Sequence, residues 1–183
     1  AVVIGEGEIT ILELLNAIAN KISFKNVKGI AYKHDDKVVV NDGRPLIKDV
    51  DSIPFPAYEL FSIDYYRLLR MPHVSSRDFV MPLLSGRGCS FQCTFCYRMD
   101  KGFRPRSDES IIEEIKFLKK NYGITYIAFS DELLMSSVER TMGLCEDFIK
   151  AKLNVKWDCN GRLNYAKPEL LKLMKEAGCV FIN

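Results

Sequence analysis

From Phe79 to its end the chain alternates short apolar runs with amphipathic ones, and this alternation constrains the fold more than any other feature. FVMPLLS, ITYIAFS, NVKWDCN and CVFIN have the length and apolar character of buried strands. The stretches between them carry helical spacing. Ile111, Ile115 and Leu118 share one face behind a cap at Ser107 or Asp108. Val138, Met142, Cys145 and Ile149 share another, behind a capping box of Ser136 and Glu139. Pro168 opens the last helix and Gly178 closes it. Strand and helix in regular succession predict an α/β fold, a parallel sheet with right-handed crossovers. In such folds ligands bind beyond the carboxyl ends of the strands.

The segment beyond the first of these strands is SGRGCSFQCTFCYR, residues 85–98. It holds three of the six cysteines of the chain, Cys89, Cys93 and Cys96. Four thiolates close a structural zinc site or an iron–sulfur cubane, whereas three leave one metal position open for a ligand. The glycines of SGRGC let the backbone turn tightly around a bulky group. Neither histidine is close in sequence: His34 falls in a turn and His73 in a proline-rich stretch. The competing reading is a structural zinc module with Cys159 or Cys179 as the distant fourth ligand. Buried single cysteines usually pack as small hydrophobes, and Cys145 fits the apolar face of its helix. The cysteine distribution suits a reducing compartment, read as cytoplasmic. A formal charge of +2 argues against nucleic acid as the main partner, and no apolar run is long enough for a bilayer. The basic and aromatic run YRMDKGFRPR, residues 97–106, is read as a solvated loop.

The CxxxCxxC spacing, with Phe95 directly before the last cysteine and a strand before the first, resembles the radical S-adenosylmethionine enzymes. The resemblance implies that Cys89, Cys93 and Cys96 hold three irons of a [4Fe–4S] cluster. S-adenosylmethionine would chelate the fourth iron, with Phe95 along its adenine. An electron from the cluster would then cleave the cosubstrate to a 5′-deoxyadenosyl radical that abstracts hydrogen from substrate. Asp131 or Glu132, at the end of the second strand, would pair with the methionine ammonium, where many members carry Gly-Gly-Glu. The alternative is that one of these acids caps the following turn. Arg162, at the end of the third strand, would clamp the methionine carboxylate, or else pair with a neighbouring acid at the surface.

The first third adds VIGEGE, a helical stretch with Ile11, Leu15 and Ile18 on one face, and a hairpin of residues 27–32 and 37–40. Gly5 and Gly7 begin a dinucleotide-binding pattern that fails at Thr10. The aromatic-rich prolines of IPFPAYELF imply a linker that packs rather than floats. From VIGEGE through this linker to the cysteines, the chain resembles the cobalamin-binding radical S-adenosylmethionine enzymes, which include methyltransferases and the anaerobic magnesium-protoporphyrin ester cyclase. The expected organisation is residues 1–44 as the end of a Rossmann-like cobalamin domain, 45–76 as linker, and 77–183 as the first half of a partial barrel. Both ends fall within strands, so an internal piece of a longer protein is expected. The D-x-H-x-x-G signature of many cobalamin proteins does not occur, and tight cobalamin binding by these residues alone is not expected. The resemblance further implies a small-molecule substrate and an electron donor such as flavodoxin or ferredoxin, with no membrane and no nucleic acid. Outside the zinc alternative, the remaining possibility is a folded but inert truncation.

Overall fold

Asp35 and Asp36 both take positive φ, 46° and 60°, and so close a two-residue turn whose twist matches the strands it joins. The turn lies in the first of two compact units, Ala1–Lys48 and Asp49–Asn183, in a computed structural model that describes residues 1–68, 71–97 and 102–183. In the first unit β1 (Val2–Val3), α1 (Glu8–Ala19), β2 (Ile30–His34) and β3 (Lys37–Val40) follow in order. The strands form an antiparallel sheet, with Val3 opposite Ile30 and Ala31 opposite Val40. The helix packs through Leu14 and Ala17 onto Val27 and Ile30. This differs from the face expected of α1. Ile11, Leu15 and Ile18 are exposed, while Thr10, Leu14 and Ala17 are buried. The helix is apolar on most of its surface, so periodicity alone did not distinguish the face that the sheet covers.

In the second unit, α2 (Ile63–Tyr66) precedes β4 (Val80–Leu83). A two-residue ribbon follows, β5 (Gly86–Arg87) paired antiparallel with β6 (Arg104–Pro105). Then come α3 (Asp108–Tyr122), β7 (Tyr126–Phe129), α4 (Val138–Lys150), β8 (Lys156–Cys159), α5 (Pro168–Glu176) and β9 (Cys179–Ile182). β4, β7, β8 and β9 lie side by side in that order, every neighbour parallel, as the strand–helix alternation requires. This is the expected α/β architecture.

Alternation along the strands divides the residues between two faces. Met81, Leu83, Ile127, Phe129, Trp157 and Cys159 share a core with Ile111, Ile115 and Leu118 of α3 and with Leu144, Cys145 and Phe148 of α4. Ser107 caps α3 by accepting from the Ser110 amide. The cap of α4 is Ser137, accepting from the Arg140 amide, one residue later than the expected box of Ser136 and Glu139. Its buried face is correspondingly centred on Leu144, Cys145 and Phe148, and Ile149 is exposed. Two serines stand in succession there, and the geometry of the incoming turn decides which one caps.

Residues ahead of the sheet belong to the same unit. Tyr58 and Ile63 are buried in its core, with Phe55 and Tyr66 packed against it. The Tyr58 hydroxyl donates to Glu114 Oε1 at 2.6 Å, and Arg106 pairs with the other carboxylate oxygen while lying over the Phe55 ring. Burial and the Glu114 carboxylate both push the Tyr58 hydroxyl pKa upward, so it stays a donor. Arg98 and Lys101 of the basic run lie outside the described residues, while Arg106 of that run is committed to Glu114.

Candidate iron–sulfur site

The cysteine loop leaves β4 at its carboxyl end, and polar groups from the neighbouring strand ends hold its base. Asp131, just past β7, accepts from the Ser85 amide with both carboxylate oxygens, at 2.8 and 3.0 Å, and from the Gly86 amide at 2.8 Å. The Ser85 carbonyl accepts from Arg140 Nη2 and from the Arg106 amide, each at 2.9 Å. One peptide is therefore gripped on both sides by groups distant in sequence. Asn160, just past β8, donates its side-chain amide to the Asp131 carbonyl at 2.7 Å. Two glycines make the path possible. Gly88 has φ 79°, and a Cβ on Gly86 would meet the Phe103 ring at 2.7 Å.

Beyond this base, Cys89 and Cys93 are partly buried and Cys96 is exposed, all three as free thiols. The Cys96 amide donates to the Cys93 carbonyl at 3.2 Å, so these two sit across one tight turn. Among the described residues, no three His, Cys, Asp or Glu side chains converge as a ready metal-binding group. The donor set itself fits an iron–sulfur cluster, because such clusters are held by thiolates. Its neighbour fits as well: Arg162 Nη1 donates to Cys93 Sγ at 3.3 Å. That guanidinium lies over the face of Phe91, its Cζ 3.7 Å from the ring centroid, and its Nε donates to Asn164 Oδ1 at 3.2 Å. Its Nη2 makes no hydrogen bond to the described residues.

The other expected site residues are distributed unequally. Phe95 presents its ring almost wholly to solvent, at 91% exposure. Glu132 is half-buried beside Asp131, whereas Asp131 is fully buried with its carboxylate occupied by backbone amides. Cys159 and Cys179 sit together in the core on β8 and β9, where the neighbouring Cys179 thiol and burial push the Cys159 thiol upward. Burial likewise pushes Cys145 up to about 12.

Sequence reasoning missed one polar cluster. On the sheet face turned away from the helices, Asp158 Oδ2 accepts from the Tyr126 hydroxyl at 2.8 Å and lies 2.8 Å from His73 Nε2. The His73 ring stacks on Phe181, centroids 4.3 Å apart. The alternation of Tyr126 with Ile127, and of Asp158 with Trp157, was the available signal for polar groups on that face. Nothing local paired them with His73.

Asp131 also sets a pH dependence. Burial raises its carboxyl from 3.8 to about 6, against the lowering effect of the Ser85 and Gly86 amides and of Arg140. A carboxyl with a folded pKa above its unfolded one binds protons more readily when folded, so stability falls as pH rises through that window. The decline amounts to about 2 kcal/mol between pH 4 and pH 6. Urea unfolding at a series of pH values checks this: Asp131→Asn is expected to flatten the decline, and an unchanged slope would assign it elsewhere.

Residues 83–183 match the radical SAM superfamily, and the chain belongs to that superfamily. Over 182 residues it is 35% identical to an uncharacterized methyltransferase of Pyrococcus horikoshii, covering 98% of this chain and 38% of that protein. It is 30% identical over 191 residues to the anaerobic magnesium-protoporphyrin IX monomethyl ester cyclase of Rubrivivax gelatinosus, covering 100% of this chain and 33% of the cyclase. The chain thus spans between 33% and 38% of the length of these relatives. Its fold is similar to that of the radical S-adenosylmethionine methyltransferase TsrM from Kitasatospora setae, with a TM-score of 0.76 and 18% identity, over 99% of this chain and 37% of that one. The cobalamin-dependent S-adenosylmethionine radical enzyme OxsB gives 0.75 and 23%, over 97% of this chain and 26% of that one.

Proposed function

We propose that this chain carries the iron–sulfur part of a cobalamin-type radical S-adenosylmethionine enzyme, in which Cys89, Cys93 and Cys96 hold three irons of a [4Fe–4S] cluster. The observation that carries the reading is the placement of three thiols, with a cation on one of them, on a loop at the carboxyl edge of a parallel sheet. When bound, such a cluster supplies an electron to S-adenosylmethionine, breaking a carbon–sulfur bond to leave methionine and the 5′-deoxyadenosyl radical. The residues of this chain bind and orient the cosubstrate. Glu132 takes the methionine ammonium, because the Asp131 carboxylate already serves the Ser85 and Gly86 amides. The Nη2 end of Arg162 takes the methionine carboxylate, a planar match. The exposed Phe95 ring takes the adenine, which would cover it from water.

The domain reading follows the same lines: residues 1–44 as the close of a Rossmann-like cobalamin domain, 45–76 as linker and 77–183 as the first half of the barrel. The full-length protein acts on a small-molecule substrate, by methyl transfer or cyclisation, and takes electrons from a flavodoxin- or ferredoxin-like donor in the cytoplasm. Among the described residues no helix is long and apolar enough to cross a membrane.

Anaerobic reconstitution with iron and sulfide, followed by reduction and electron paramagnetic resonance, tests the reading. A [4Fe–4S] signal that changes on adding S-adenosylmethionine is expected. A cluster indifferent to S-adenosylmethionine would refute the assignments of Phe95, Glu132 and Arg162 while leaving the three cysteines. Bound zinc without labile sulfide would replace the enzyme reading with a structural zinc module.

A further inference from the structure

Arg162 differs from the other strand-end groups in what it touches. It leaves β8 at the carboxyl edge and spends one nitrogen on the sulfur of Cys93 at 3.3 Å. Its guanidinium carbon lies 3.7 Å from the ring centroid of Phe91, a residue between Cys89 and Cys93 in sequence, and its Nε is anchored on Asn164. Three separate contacts thus fix one cation against the cysteine loop, and two of them are to the loop itself. Cation–π stacking and a charge-assisted hydrogen bond are both directional, so together they set the position and the tilt of the guanidinium.

We propose that Arg162 sets the reduction potential of the cluster held by Cys89, Cys93 and Cys96, raising it through the hydrogen bond to the Cys93 sulfur. The inference rests on the cluster reading above. Reduction adds one electron to the cluster and its thiolates, and a fixed cation donating to a ligand sulfur favours that more negative state. Cluster potentials follow net charge, hydrogen bonds to the sulfurs and solvent exposure, and Arg162 acts through the first two. The role is separate from binding the methionine carboxylate, which uses a different nitrogen and requires the cosubstrate. Asp131 and Glu132 do not substitute for it, since carboxylates shift the potential in the opposite direction.

The test is a dithionite titration of the anaerobically reconstituted chain without S-adenosylmethionine, with the reduced cluster followed by electron paramagnetic resonance. Arg162→Gln is expected to lower the reduced-to-oxidised ratio about tenfold at the wild-type midpoint, which is about 59 mV for one electron. Arg162→Lys, which keeps the charge and loses the planar fork, is expected to fall between the two. A glutamine variant that carries its cluster and titrates at the wild-type potential would overturn the proposal. If that variant holds no cluster, Phe91→Leu decides, because it removes the ring that orients the guanidinium. A lowered potential there supports the proposal, and an unchanged one overturns it. A wild-type chain that assembles no [4Fe–4S] cluster defeats the cluster reading itself, an outcome distinct from a cluster with an unshifted potential.

Discussion

Arg106→Ala is expected to destabilise the second unit by about 3–5 kcal/mol. The arginine and Glu114 are both nearly excluded from water, their side chains 11% and 4% exposed. The Glu114 carboxylate divides its oxygens between Arg106 and the Tyr58 hydroxyl. Removing the cation leaves a buried carboxylate with one neutral donor among the described residues, the Tyr58 hydroxyl, and the desolvation cost of that charge is no longer offset. The lost guanidinium also frees the Leu84 and Ser110 carbonyls it now serves. Urea unfolding measures the loss as a lower midpoint at unchanged slope. Adding Glu114→Gln to the alanine variant removes the stranded charge and should recover a substantial part of it. A single variant within 1 kcal/mol of wild type would show that water reaches this pair.

Cys93→Ala is expected to abolish cluster assembly, read as iron and acid-labile sulfide per chain after anaerobic reconstitution. Two remaining thiolates do not hold a cubane stably, since each iron without a protein ligand is open to exchange and loss. Cys145→Ala is the matching control. Its thiol is buried in the core on α4, and its removal costs packing but leaves the loop untouched. Four irons per chain retained in the Cys93 variant would contradict the ligand assignment, and iron lost from the Cys145 variant would show that the core and the loop are coupled.

How legible these features were in the sequence depended on the range of the interactions that fix them. The four parallel strands were readable because each is a short apolar run bounded by turn residues, and Pro168 and Gly178 mark the last helix from both ends. The cysteine loop was readable because its spacing is a local chemical pattern. The buried side of α1 was not, because Ile11, Leu15 and Ile18 are as apolar as the residues that pack, and the choice belongs to the sheet. Nor could sequence say which of Asp131 and Glu132 holds the base of the cysteine loop. Two adjacent acids look alike until the Ser85 and Gly86 amides, on a different strand end, select one of them. The same holds for His73: proline-rich surroundings placed it in a linker, and only the folded sheet brings it to Asp158.

The grip on the Ser85 peptide bears on metal affinity through pre-organisation. Its amide is held by Asp131, and its carbonyl by Arg140 and the Arg106 amide, before any iron arrives. Immobilising a residue costs about 1–2 kcal/mol in backbone entropy. For Ser85 and Gly86 that cost is met during folding, by charged groups of the scaffold. On the proposed cluster assignment, iron and sulfide then have only the remainder of the loop to order, and the binding free energy of the three thiolates is reduced by that smaller amount.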